Sequence, residues 1–395
     1  MNEWKKVRFL DVVHLNPRIS LEKGVEYPFV EMSNVVPCAR KPEKDVFKKY
    51  LGEGTKFEQG DTIVARIEPC LQNGKGFQCS YKQGFGSTEF LVFRPVNIND
   101  LDCDFLYYYM GQQSIREAMA KTMVGASGRQ RVNNKVFNDL QINLPPLSTQ
   151  HCIANILSRY DSLIENYQKQ IKLLEEAAQR LYKEWFVDLH FPEHENTKIV
   201  DGVPEGWEKK PVKTIIELQS GYAFKSSAFM EDGIYKIVTI KNVKDGAFDG
   251  ENVSKIASIP EKMPKHCILE DGDILLSLTG NVGRVCIVNG KNYLLNQRVA
   301  KLKSAYKAYT YCLFRSRDMF IEVNNLANGA AQQNVSPIRI GEMKILIPEK
   351  KWLDDFERTV SNYILGIITL QSQIRFLTEA RDRLLPKLMS GEIAV

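Results

Sequence analysis

Apolar residues return along the middle of the chain in steps of four and three: Ile153, Leu157, Tyr160, Ile164, Tyr167, Ile171, Leu174, Ala178, Leu181 and Trp185. That unbroken alternation is the a/d pattern of a heptad seam and predicts a long amphipathic helix. Moved along by 203 positions, the template lands on Phe356, Val360, Tyr363, Ile367, Leu370, Ile374, Leu377, Arg381, Leu384 and Leu388. Only Arg381 interrupts the second stripe. A stripe two residues per heptad wide suits one narrow partner better than a broad core. Two matched stripes in one chain are therefore expected to pack on each other. The competing arrangement docks each helix on its own globular segment, or on another protein.

Before each helix the pattern changes to short β-branched runs bounded by Gly, Asn and Asp, which read as strands. These runs are written twice. YPFVEMSNV (27–35) returns as YKIVTIKNV (235–243), FEQGDTIVARI (57–67) as ILEDGDILLSL (268–278), and DLQINLPP (139–146) as EMKILIPE (342–349). Trp4 has Trp207 as its counterpart. Each copy also carries a helical patch, DFLYYYMGQQSIREAMAKTM (104–123) and AYTYCLFRSRDMFIEVNNL (308–326). A Pro-ended apolar strand follows the patch, and then the long helix. The predicted organisation is a mixed domain over 1–147, a central helix over 148–190, a Pro/Gly linker over 191–204, a second mixed domain over 205–348 and a C-terminal helix over 349–395.

Composition narrows the class. The 395 residues are 44% hydrophobic and 26% charged, ordinary for a folded chain of two or three domains. No apolar run reaches the roughly 18 residues of a membrane span, and the N-terminus has no signal-like core, so no signal peptide and a cytoplasmic location are expected. None of the eight cysteines forms a CxxC pair, so free thiols are expected and no metal site. The net charge of +5 is unevenly spread: residues 1–147 carry an excess of three positive charges and residues 205–347 an excess of five. Two basic heads permit polyanion binding. A helix from 153 to 185 rises roughly 48 Å, against about 34 Å for one turn of duplex DNA.

Catalytic signatures are missing. The one Pro-Pro, in NLPPLS (143–148), lacks the aromatic of a base-holding methyltransferase loop. No GxGxxG follows a strand and no GxxxxGK[ST] phosphate loop occurs. Glu342-Met343-Lys344 has the tripeptide form of a nuclease site, but no Pro-Asp pair stands suitably upstream. The five histidines have no repeated Ser or Cys partner.

The doubled unit resembles the specificity subunit of type I restriction-modification systems. The likeness covers essentially the full length. It is carried by LPPLSTQHCIANILSRYDSLIENYQKQIKLLEEAAQRLYKEWFVD (144–188), GVPEGW (202–207), DGDILLSLTGNVGRVCIV (271–288) and LLPKLMSGEI (384–393). The resemblance implies an α+β fold: two similar mixed α/β target recognition domains separated by two long helices that form an antiparallel coiled coil, with pseudo-two-fold geometry. It implies that each domain reads one half of a bipartite asymmetric site on double-stranded DNA while the helices set the spacing. It further implies two modification subunits, methyltransferases that carry S-adenosylmethionine and methylate adenine at N6, and restriction subunits, ATP- and Mg-dependent translocases with nuclease activity. No cofactor is expected on this chain, and no membrane. The alternatives are a stand-alone or silent recombination copy of such a subunit, or a nuclease with an unrecognised site.

Base edges are read by paired hydrogen bonds, chiefly from Arg, Lys, Asn and Gln, and phosphates by cations and backbone amides. Such residues gather in glycine-bearing loops at matching places in the two copies. GASGRQRVNN (125–134) offers Arg129, Gln130 and Arg131, and GAAQQNVS (329–336) offers Gln332, Gln333 and Asn334. ARIEPCLQNGKGF (65–77) offers Arg66, Asn73 and Lys75, and SLTGNVGRV (277–285) offers Asn281 and Arg284. LNQRVAK (295–301) adds Gln297 and Arg298, matched in the first copy by Glu89 and Phe90. Each loop also fits an ordinary solvated turn. The clustered Tyr107, Tyr108 and Tyr109 are expected to pack against their own sheet.

Overall fold

A computed structural model describes residues 4–251, 253–327 and 333–395. The chain forms two compact units, Met1–Glu165 with Phe376–Val395, and Asn166–Arg375.

In the first unit, Lys5–Arg8 pairs antiparallel with Gln141–Leu144, so the start and the end of the mixed segment lie side by side. One four-stranded sheet runs in the order Val13–Leu15, Phe90–Pro95, Thr62–Ala65, Gly76–Gln78. A second runs Phe47–Lys49, Glu26–Val30, Gln83–Gly86, Thr55–Glu58, with its two central strands parallel. The second unit repeats the scheme. Glu208–Pro211 pairs with Lys344–Ile347. The sheets run Glu217–Ser220, Val299–Lys303, Ile274–Ser277, Val285–Ile287, and Ser254–Ile256, Tyr235–Val238, Tyr293–Leu295, Ile268–Leu269. The central strands Thr62–Ala65 and Ile274–Ser277 are buried at every residue, which explains their near-continuous apolar sequence.

A Gly-Asp turn starts each central strand. Gly60 and Gly272 have φ of 88° and 85°, where glycine alone is unstrained. The buried carboxylates of Asp61 and Asp273 each accept the backbone N–H three residues earlier, from Glu58 and Glu270, at 2.8 Å. Arg94 closes on Asp61 with two hydrogen bonds of 2.6 and 2.8 Å, and Lys301 on Asp273 at 2.8 Å. Both charges are thus buried with partners, as burial requires. These turns correct the repeat alignment by one residue. Asp61 matches Asp273, whereas FEQGDTIVARI set against ILEDGDILLSL from their first letters matches Asp61 with Gly272.

The helical patches each divide in two, as Cys103–Met110 and Gln113–Ala120, and as Lys307–Arg315 and Arg317–Ala327. The breaks fall at Gly111-Gln112 and at Ser316, where Gln112 and Ser316 are extended. Tyr109 stacks on Phe9 and donates to the Gln141 carbonyl at 3.2 Å, so it packs within its own head.

The long helices are Leu147–Tyr182 and Lys350–Met389. The first passes into a π turn at Lys183–Val187, so Trp185 lies beyond the α-helix. They meet in opposite directions within each unit. In the first, Asp161 bonds Arg381 at 2.7 Å, and Ile153, Ala154 and Leu157 share a core with Leu388 and Met389. In the second, Tyr182 lies edge-on to Phe356, and Leu174 lies beside Gly366. None of the stripe residues is exposed, Arg381 included.

The stripes do not serve one narrow partner, however. Ile153 and Leu157 are buried together with Phe9, Leu106 and Phe137 of the first head. Ala178, Phe356 and Val360, with Tyr182 next to the stripe, are buried with Trp207, Tyr309 and Tyr311 of the second. Packing on the other helix and docking on a head were posed as alternatives, and both occur. A helix end that enters a globular core can have its stripe covered from two sides.

Polar contacts fix these dockings. The buried Gln150 takes the Asp102 N–H at 2.8 Å and donates to the carbonyls of Asp100 and Pro145, both at 2.9 Å. In the second unit the Glu357 carboxylate accepts the N–H groups of Ala308 and Tyr309, at 3.0 and 3.3 Å, at the start of Lys307–Arg315. No helix among the described residues is long and apolar enough to cross a membrane.

Candidate nucleic-acid interface

Three of the loops meet at the end of the central strand in each unit, held by the same backbone hydrogen bonds. In the first unit, Arg66 N–H donates to the Glu89 carbonyl, Val132 N–H to the Arg66 carbonyl, and Glu68 N–H to the Gln130 carbonyl, each at 2.9 Å. In the second, Leu278 N–H donates to the Arg298 carbonyl, Val335 N–H to the Leu278 carbonyl, and Gly280 N–H to the Gln333 carbonyl, each at 3.0 Å. An antiparallel bridge joins Ile67 to Arg131, and its counterpart joins Thr279 to Asn334. The two units therefore share one frame. Arg66 corresponds to Leu278, Glu89 to Arg298, Gln130 to Gln333, and Arg131 to Asn334. This corrects the sequence match by one residue: Arg298 stands where Glu89 does and Gln297 where Thr88 does, because the backbone bonds set the register.

The side chains on this frame differ. In the first unit the exposed Arg131 binds Glu89 through Nε and Nη2 at 2.6–3.0 Å. That hydrogen bond holds the Glu89 carboxyl below the usual carboxylate range. Gln130 is half-buried and Arg129 is exposed. Arg66 is half-buried, and its Nε has no hydrogen-bond partner among the described residues. It lines a shallow groove with Asn16, Arg18, Lys56 and Thr88. In the second unit Gln297, Arg298, Gln333 and Asn334 are all exposed. The Thr279 hydroxyl donates to Asn334 Oδ1 at 2.8 Å. Gln332 lies outside the described residues.

The remaining candidates sit apart from the frame. Asn73 is exposed in a turn whose N–H donates to the Pro69 carbonyl. Lys75 turns its Nζ onto the Met32 carbonyl at 2.7 Å, which engages the ammonium locally. Asn281 is exposed, and its carbonyl accepts the Ser277 hydroxyl. Arg284 is half-buried, and its N–H donates to the same hydroxyl at 3.1 Å. Glu342 is tied to Lys213 at 2.5 Å. Among the described residues no group of three or more His, Cys, Asp and Glu side chains could hold a metal ion.

Sequence reasoning passed over Glu89, Thr279 and Arg18. Glu89 carried a usable signal, since the sequence match sets it in the loop that offers Gln297 and Arg298 in the second copy. Thr279 and Arg18 carried none, because only tertiary contact brings them to the frame and its groove.

Two copies of one mixed head, each offering a different set of donors and acceptors on a common backbone frame, define a duplicated recognition protein. The sequence signature of the type I restriction modification DNA specificity domain matches residues 1–176 and 204–360. The chain belongs to that family. It is 29% identical over 310 residues to the type I restriction enzyme MjaVIII specificity subunit of Methanocaldococcus jannaschii, covering 75% of this chain and 71% of that one. It is 22% identical to the HindI specificity subunit of Haemophilus influenzae over the full length of both. The crystal structure of the type I restriction-modification system S subunit from M. genitalium shares the fold, with a TM-score of 0.52 over 98% of this chain and 96% of that one, at 16% identity.

Proposed function

We propose that this chain reads a bipartite, asymmetric site on double-stranded DNA, each mixed head taking one half and the helix pair setting the unread spacer. The duplicated frame carries this reading. The same backbone bonds support Glu89 and Arg131 in one unit and Arg298 and Asn334 in the other, as two different half-sites demand. The positive excess of the two heads adds the sequence-independent attraction to phosphates.

In this reading the chain supplies sequence choice and no bond chemistry. It acts in the cytoplasm, beside the chromosome. Two modification subunits, loaded with S-adenosylmethionine, methylate adenine at N6 where the heads direct them. Restriction subunits, driven by ATP and Mg, add cleavage at unmodified sites.

The test is co-expression with the neighbouring methyltransferase subunit, followed by genome-wide sequencing of adenine methylation. A bipartite mark that disappears without this chain is the expected result. No chain-dependent mark sinks the proposal. Inserting one heptad into both long helices should lengthen the spacer while both half-sites stay the same.

A further inference from the structure

Arg131 and Asn334 occupy the same position on the shared frame, and a neighbour braces each of them. Arg131 gives Glu89 the Nε–Nη2 side of its guanidinium, at 2.6, 2.9 and 3.0 Å. Its Nη1 makes no hydrogen bond among the described residues, and the side chain is exposed. A guanidinium held from the side keeps its outer edge free, with parallel donors suited to two acceptors. The base edge with two adjacent acceptors is guanine, through O6 and N7.

Asn334 is held differently. The Thr279 hydroxyl donates to its Oδ1 at 2.8 Å, and the same two residues form a backbone bridge. In this arrangement Nδ2 makes no hydrogen bond among the described residues and can donate, and Oδ1 keeps a second lone pair. One donor beside one acceptor matches adenine, through N7 and N6. A bracing partner matters because an immobilised side chain loses less freedom on binding.

We propose that position 131 of the first unit and position 334 of the second are base-reading positions, Arg131 taking a guanine in one half-site and Asn334 an adenine in the other. Glu89 and Thr279 are positioning residues that aim them. Gln130 and Gln333, identical at matching positions, do not distinguish the half-sites. The inference rests on the reading of the chain as a DNA specificity subunit.

The experiment uses the chain co-expressed with its methyltransferase subunit, with the methylated motif sequenced for the parent, Arg131→Ala and Asn334→Ala. Arg131→Ala should relax one guanine position of one half-site by about tenfold to a hundredfold, leaving the other half-site and the spacer intact. Asn334→Ala should relax one adenine position of the other half-site to a similar degree. Glu89→Ala, which frees Arg131, should weaken that guanine preference without creating a new one. An unchanged motif in Arg131→Ala, or relaxation at a base other than guanine, overturns the inference while the parent mark keeps the broader reading intact. A parent without any mark defeats the broader reading itself. If a variant leaves no mark, the co-purified complex is titrated with duplexes substituted at each half-site position. Discrimination lost at one guanine then supports the proposal, and a uniform loss across positions refutes it.

Discussion

The buried contact between Arg381 and Asp161 supplies the sharpest test of the energetics. The two side chains are 10% and 6% exposed, and they bond at 2.7 Å. Tyr108 donates its hydroxyl to the other Asp161 oxygen at 2.5 Å. Arg381→Leu restores an apolar stripe but strands the Asp161 carboxylate. Breaking a buried pair from one side costs about 3–5 kcal/mol, because the remaining charge stays out of water. The Tyr108 hydrogen bond, of a class that contributes about 1.5–3 kcal/mol, still reaches Asp161 and favours the lower end, about 3 kcal/mol. For a unit of roughly 150–250 residues, at about 2–4 °C per kcal/mol, the transition should fall by about 6–12 °C.

Removing the whole network should behave differently. In Arg381→Leu with Asp161→Leu and Tyr108→Phe, the buried charges and the phenol go together, while the Asp382 carboxylate and the Cys38 carbonyl, which Arg381 also bonds, sit on exposed residues and are met by water. The triple variant should lie within about 1 kcal/mol of the parent or above it, since apolar replacements of buried ion pairs are often neutral or stabilising. Calorimetry with far-UV circular dichroism measures all three proteins. A chain of two compact units need not melt in one step, so the transition assigned to the first unit is the one to follow. The reasoning is refuted if Arg381→Leu melts with the parent, or if the triple variant is as unstable as the single one.

Two further outcomes are expected. Glu357→Ala leaves two backbone N–H groups, those of Ala308 and Tyr309 at the start of Lys307–Arg315, without their acceptor, and should cost about 1–2 kcal/mol, read as an earlier melt of the second unit. In thiol labelling of the native protein at pH 8, the exposed Cys38 and Cys152 should react first and the buried Cys79, Cys267, Cys286 and Cys312 only on unfolding. Burial pushes the Cys79 thiol up to about 12, so it stays protonated throughout this range. Fast native labelling at Cys79, located by peptide mapping, would contradict that placement.

Much of the architecture was legible in the residues because it rests on short periods. The 4–3 spacing marked both long helices. The duplicated runs marked two heads, and the offsets between them located the loops. Arg381 was visible as an interruption, but its reason was not. Asp161 lies 220 positions away, and nothing local in either segment pairs them. The double service of the stripe residues was hidden too, since periodicity shows which face is apolar and not how many elements cover it.

The reading frame lay further from reach. Arg66, Glu89 and Arg131 were each on the page, two of them as candidates, yet their strands are brought together by backbone bonds across 23 and 66 positions, Arg66 to Glu89 and Val132 to Arg66. Lys75 looked as free as Arg131 until the fold turned it onto the Met32 carbonyl. By itself the sequence determined the doubled design, the helices and the family, because periodicity and repetition are written along the chain. Only the tertiary structure decided which loop residues share a frame and which are engaged elsewhere. Those contacts depend on the register between distant strands, and a shift of one residue would exchange every partner.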